Sequence, residues 1–150
     1  MPTGEETGRK VQRILAGEFS NVRLTKDGGF AIDQGSSVVF IEPKDWTPAQ
    51  DGTPRSLVRI WAPLGRKVKS TPEMYRWAAV EGSSKYFGSV TVLENEDASE
   101  CFLMFDHTLL GDFVDPDELI TSVYAVMFTG DEFDDIVHDR FGGKRYTDPD

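Results

Sequence analysis

Cysteine occurs once in this chain, at position 101, and histidine twice, at 107 and 138. One thiol cannot close an internal disulfide, and two histidines leave little for imidazole catalysis or a histidine-rich metal site. Long apolar runs are missing too. The longest, such as 101–105 and 124–128, fall far short of the roughly 20 residues that cross a bilayer, so no membrane partner is expected. The opening Met1-Pro2-Thr3-Gly4-Glu5-Glu6 carries acid where a signal peptide carries lysine, with no apolar stretch behind it. That pattern predicts a cytoplasmic protein, in keeping with the single cysteine. Basic side chains are scarce: 16 Lys and Arg stand against 26 Asp and Glu, a formal net charge of −10. A surface so acidic argues against gripping a phosphate backbone, so no nucleic-acid partner is expected. No Gly-x-x-x-x-Gly-Lys-Ser/Thr loop occurs, and Gly28-Gly29 falls in a hairpin-like turn, so no nucleotide cofactor is implied.

What remains is ample for a core. The 150 residues are 39% hydrophobic and 11% aromatic, enough for one α+β domain over 1–150 that buries roughly 70% of its unfolded surface. The core is expected over 9–143 and the end, 144–150, reads as frayed. Val11, Ile14, Leu15 and Phe19 recur at helical spacing. Val22, Leu24, Phe30 and Ile32 alternate around Asp27-Gly28-Gly29, a strand–turn–strand pattern. Ser36 to Ile41 is apolar on both alternating faces and should be covered on each side. Pro43 to Pro54, with three prolines, an Asp-Gly pair and Trp46, reads as a long loop.

Arg55 to Ala62 is the next predicted strand, separating Val58, Ile60 and Ala62 from the more polar set Leu57, Arg59 and Trp61. Ser70-Thr71-Pro72-Glu73 opens a helix with capping-box spacing; Met74, Trp77 and Ala78 face inward and Gly82 ends it. Tyr86 to Glu94 and Cys101 to His107 form a hairpin across a polar turn. Asp115-Pro116-Asp117-Glu118 starts a long helix whose apolar stripe runs from Leu119 to Phe141, interrupted by Gly130 and stopped by Gly142-Gly143. The order helix, three strands, helix, two strands, helix predicts an antiparallel sheet of about five strands with helices on one face.

Charge is divided along the chain. From Asp112 onward eleven acids face three bases, whereas Arg55, Arg59, Arg66, Lys67, Lys69 and Arg76 are opposed only by Glu73. A solvated face and a docking site for an acidic partner both fit that basic island. The strongest metal candidate is 131–139, where Asp134 and His138, and Asp131 and Asp135, sit four apart on a helix. Carboxylates radiating from one rod do not converge on a hard cation, so no metal is expected. Cys101 and His107, six residues apart on one strand, stand about 20 Å from each other; Asp106, His107 and Asp112 lack a nucleophile or substrate signature. No catalytic residue and no cofactor are assigned, and the chain is read as not being an enzyme. Aromatics are the remaining signal. Trp61 beside Arg59 has the composition of protein-contact hot spots, although intramolecular packing is the favoured account of it, and Tyr75 fits the outer side of its helix.

Several segments together resemble the YbjN family, which is related to type III secretion chaperones. They are Thr71-Pro72-Glu73-Met74-Tyr75, Phe87-Gly88, His107-Thr108-Leu109-Leu110-Gly111-Asp112, Asp131-Glu132-Phe133-Asp134-Asp135 and Phe141-Gly142-Gly143, and the likeness runs from about residue 20 to 143. The resemblance implies a bacterial, peptide-binding, chaperone-like adaptor, a homodimer that holds a polypeptide client without chemistry. Leu57, Arg59, Trp61 and Tyr75 are the candidate partner-binding residues. The rival expectation is an acidic inhibitor or immunity-type protein that occludes a basic partner such as a nuclease.

Overall fold

The computed structural model describes residues 4–35, 37–48 and 50–149; Met1 to Thr3, Ser36, Ala49 and Asp150, which enter the expectations above, lie outside them. Helix α1 (Gly4–Glu18) leads into strands β1 (Val22–Leu24), β2 (Phe30–Gln34), β3 (Ser37–Trp46) and β4 (Arg55–Lys69). Helix α2 (Pro72–Val80), strands β5 (Ser89–Glu94) and β6 (Glu100–Leu110), a 3-10 turn at Gly111–Phe113 and helix α3 (Pro116–Phe141) complete the order. One antiparallel sheet of six strands, ordered β1-β2-β3-β4-β6-β5, takes every strand. The α+β class holds, with a fourth strand ahead of α2.

The helices cover one face. Val11 and Leu15 of α1, Met74 and Trp77 of α2, and Leu119, Val123, Val126, Phe133 and Val137 of α3 bury themselves against Ile41, Val58, Ile60, Leu103 and Phe105. Both predicted caps are in place: the Thr71 hydroxyl accepts from the Met74 amide and the Asp115 carboxylate from the Glu118 amide, with proline at the first helical position each time. Beneath α1, the Thr7 and Ser56 hydroxyls lie 2.6 Å apart and the Ser56 amide and hydroxyl donate to the buried Asp112 carboxylate at 2.8 and 2.9 Å.

Two expectations change at prolines. The segment predicted as a loop from Pro43 is strand as far as Trp46, paired through to Arg55. At Pro43 β3 has already passed the end of β2, whose last partner on β3 is Ile41. It is an edge there, and an edge tolerates a residue without an N–H. Pro63 does not end β4, which runs on to Lys69 through two register shifts, at Pro63/Gly65 and Gly65/Val68. The last β3 partner on β4 is Trp61 with Phe40, so beyond it β4 has a second open edge.

Residues 144–149 run to that edge. After Gly142 and Gly143, at φ 74° and 76°, Lys144 and Arg66 exchange both backbone hydrogen bonds, at 2.8 and 2.9 Å. A side chain at Gly143 would meet the Arg66 carbonyl oxygen and Val68 at 2.8 Å, so only glycine admits this approach.

Candidate functional site

The sheet face away from the helices carries the candidate site. Because side chains alternate across a strand, the register sends Val58, Ile60 and Ala62 into the core and Leu57, Arg59 and Trp61 to the helix-free face. Cross-strand partners share that face: Leu110 beside Leu57, Glu42 and Thr108 beside Arg59, Phe40 and Asp106 beside Trp61.

An aromatic ridge crosses the strands. Phe40 and Trp61 stack with centroids 4.5 Å apart and planes at 24°, Phe102 meets Trp61 edge-on at 6.3 Å, and Tyr146 meets Phe40 edge-on at 5.8 Å. Ala31 and Val38 support Phe40 and are buried, while Trp61 stays half-exposed. The expectation that Val38 to Ile41 is covered on both sides is met by unlike means: helices over Val39 and Ile41, aromatic neighbours over Phe40.

Polar groups fix the ridge. The Trp61 indole N–H donates to Glu42 Oε1 at 2.9 Å. Arg59 reaches Asp106 Oδ2 at 3.3 Å and the Met104 sulfur at 3.1 Å, and Thr91 donates to the other Asp106 oxygen at 2.6 Å. Beyond Phe102 the face sinks into a depression of about 300 Å³ lined by Lys67, Leu93, Glu94, Glu100 and Phe102 among others. Such a surface pairs half-buried aromatics with satisfied charges, the make-up of a protein-contact patch.

Tyr75 lies elsewhere. It sits on the helix side, packed against the main core, and its hydroxyl donates to Glu94 with Cys101 Sγ 3.6 Å away. The Glu94 hydrogen bond is the main reason its phenol is pushed up to about 12. Of the four candidate residues, therefore, three share a face and the fourth ties α2 to β5. Cys101 itself is buried in the core beside Ser70.

Asp131, Asp134 and Asp135 of α3 have protein partners. Arg145 donates to Asp134 Oδ2 at 2.6 Å and pairs with Asp135 Oδ1 at 3.0 Å, and Asp131 accepts from Ser37 at 3.0 Å. Burial raises the Asp134 carboxyl, against the opposing pull of Arg145. Among the described residues no three His, Cys, Asp or Glu side chains are disposed around a common cation position, and no helix is long and apolar enough to cross a membrane. Burial also lowers the His107 imidazole, which faces Phe87 on the helix side.

Phe40, Phe102, Asp106 and Tyr146 belong to the site but were not among its predicted members. The run Cys101 to Phe105 is apolar at every position, so no alternation distinguishes Phe102, which points out, from Leu103, which points in. Phe40 is masked in the same way by Val38, Val39 and Ile41.

Comparison with known proteins agrees with this architecture. The sequence model of the T3SS (YopN, CesT) and YbjN peptide-binding chaperones matches residues 5–149. No curated protein sequence matches. The chain is similar to the crystal structure of the Yersinia pestis type III secretion chaperone SycH in complex with a stable fragment of YscM2, with TM-score 0.52 at 8% identity, covering 85% of this chain and 98% of that one. An uncharacterized protein from Methanothermobacter thermautotrophicus gives TM-score 0.45 at 11% identity, over 91% and 99% of the two chains.

Proposed function

Starting from the fact that this chain belongs to the family of T3SS (YopN, CesT) and YbjN peptide-binding chaperones, we propose that it holds an extended polypeptide on the helix-free face of its sheet and makes or breaks no covalent bond. The observation that carries this reading is the ridge Phe40–Trp61–Phe102. It is a row of aromatic rings on a face without helices, and it lies between a depression and an open strand edge. Backbone pairing at an edge supplies affinity without sequence demand, and apolar side chains of the client fill the spaces along the ridge. SycH, the structural relative, is itself captured with a fragment of another protein. A homodimer and a cytoplasmic location accompany the proposal.

The test uses arrays of unstructured synthetic peptides probed with the wild-type chain and with Trp61→Ala. Wild type should capture a subset rich in aromatic and aliphatic residues, and Trp61→Ala should lose most of it while melting cooperatively. Equal capture by both proteins sinks the reading, and so does a Trp61→Ala chain that no longer folds, because Trp61 then serves the core.

The acidic-inhibitor reading has one observation in its favour, the concentration of acids after Asp112. Capture through those charges falls steeply with salt, whereas capture on the ridge changes little. Repeating the array at low and high ionic strength separates the two.

A further inference from the structure

The end of the chain is built like a ligand on its own sheet. Residues 144–149 reach the open edge of β4 through the Lys144–Arg66 backbone pair. Arg145 turns to the helix side and places its guanidinium between Asp134 and Asp135, at 2.6 and 3.0 Å. The next side chain, Tyr146, turns to the opposite face and lays its ring edge on Phe40 at 5.8 Å. The Asp148 carbonyl accepts from the Arg66 guanidinium, and the Asp148 carboxylate accepts from the Arg145 amide at 2.9 Å. Backbone pairing, a charged anchor on one side and an aromatic anchor on the other are the contacts by which a sheet edge recognises an extended peptide.

The two anchors differ in character. Asp134 is 5% exposed, and a buried carboxylate loses much stability when its cationic partner is removed. Arg145 supplies that cation from a segment that leaves Tyr146 43% exposed. The position next to Asp134 thus requires an arginine-like group, but nothing in it requires that the group come from the same chain.

We infer that the β4 edge between Trp61 and Val68 is a recognition site for an extended segment in which arginine is followed directly by an aromatic residue, and that residues 144–149 occupy it as an internal stand-in which a client must displace. This deepens the peptide-holding reading and rests on it for the identity of the competitor. A tethered segment acts at an effective concentration in the millimolar range, so a free peptide competes poorly until the tether's own anchors are weakened.

The experiment uses the full-length chain and a fluorescein-labelled peptide of the sequence Lys-Arg-Tyr-Thr-Asp-Pro, that of residues 144–149. The double variant Arg145→Ala/Tyr146→Ala should lose amide protection at Lys144 and Arg66 and bind the peptide at least tenfold tighter than wild type, read by anisotropy. Adding Asp134→Asn and Asp135→Asn should abolish that gain; a peptide with alanine in place of its arginine should bind no better than to wild type. Unchanged amide protection in the double variant overturns the inference, since Arg145 and Tyr146 then do not hold the segment. Released protection without any gain in peptide binding overturns it as well. Either result leaves the Trp61→Ala array free to succeed, while a gain in peptide binding beside a blank array keeps the edge site and removes the client role.

Discussion

Gly130 lies in the middle of the longest helix, where glycine costs about 1 kcal/mol relative to alanine. Its place is explained by Ala62: a side chain at 130 would stand 2.7 Å from the Ala62 methyl, so the bare position is what lets α3 lie down on β4. Gly130→Ala should therefore destabilise despite the gain in helix propensity, by up to about 2 kcal/mol, the usual 1–3 for overpacking less about 1 regained in the helix. Thermal unfolding reads this as a drop of several degrees, and Ala62→Gly in the same chain should recover part of it. Ser122 illustrates the converse, its hydroxyl buried without a hydrogen-bond partner among the described residues. Ser122→Ala removes an unsatisfied group and raises helix propensity, and should stabilise by up to about 1 kcal/mol in urea unfolding. Asp112 gives the pH response. Burial acts to raise its carboxyl, but the Ser56 amide and hydroxyl together with Arg55 outweigh burial and hold it below the ordinary aspartate value. Its contribution is then complete above the unfolded pKa and fades as pH falls through the lower folded value. Between roughly pH 5 and pH 2, wild type should lose more stability than Asp112→Asn, as melts across that range will report.

Among the elements, the helices were the most legible, because their starts are written in local chemistry. Thr71 and Asp115, each followed by proline, cap the helices the sequence predicts, and Asp115→Ala should cost about 1 kcal/mol, visible as a lower urea midpoint. Strand ends were less legible. The predicted loop begins at Pro43 and the predicted strand stops at Ala62, yet at Pro43 and at Pro63 the chain stays in strand where it has outrun a neighbour. Whether a proline breaks a strand depends on what runs beside it, and that is decided by pairings distant in sequence. The same limit hid half of the ridge: Leu57, Arg59 and Trp61 showed an alternation that could be followed, whereas Phe40 and Phe102 sit in runs where both faces are apolar. Tyr75 ties α2 to β5 and does not join the ridge; helical periodicity gives a side of the helix, not the sheet face it meets. The docking of 144–149 left almost no trace in composition; Gly142-Gly143 marked a stop but not the direction taken after it.

For the whole molecule, the net charge of −10 favours solubility and speeds encounters with basic partners, but it is not spread evenly over the functional surfaces. On the ridge face Arg59 is paired with Asp106 and Arg23 with Asp33 at close range, beside the aromatic rings. Capture of peptide by that face should therefore vary little between low and high salt, whereas the edge site that holds Arg145 should weaken in salt because its anchor is a charge pair. Comparing the two slopes in one buffer series distinguishes the surfaces without structural work.

The three tryptophans sit at three depths: Trp46 is exposed, Trp61 half-buried on the ridge and Trp77 enclosed between Phe133 and Phe141. The protein thus carries its own optical gauge. An occupant of the sheet face would dim or blue-shift the emission of the middle indole while the innermost one keeps reporting an intact interior, so occupancy and unfolding can be told apart in a single cuvette with no dye attached.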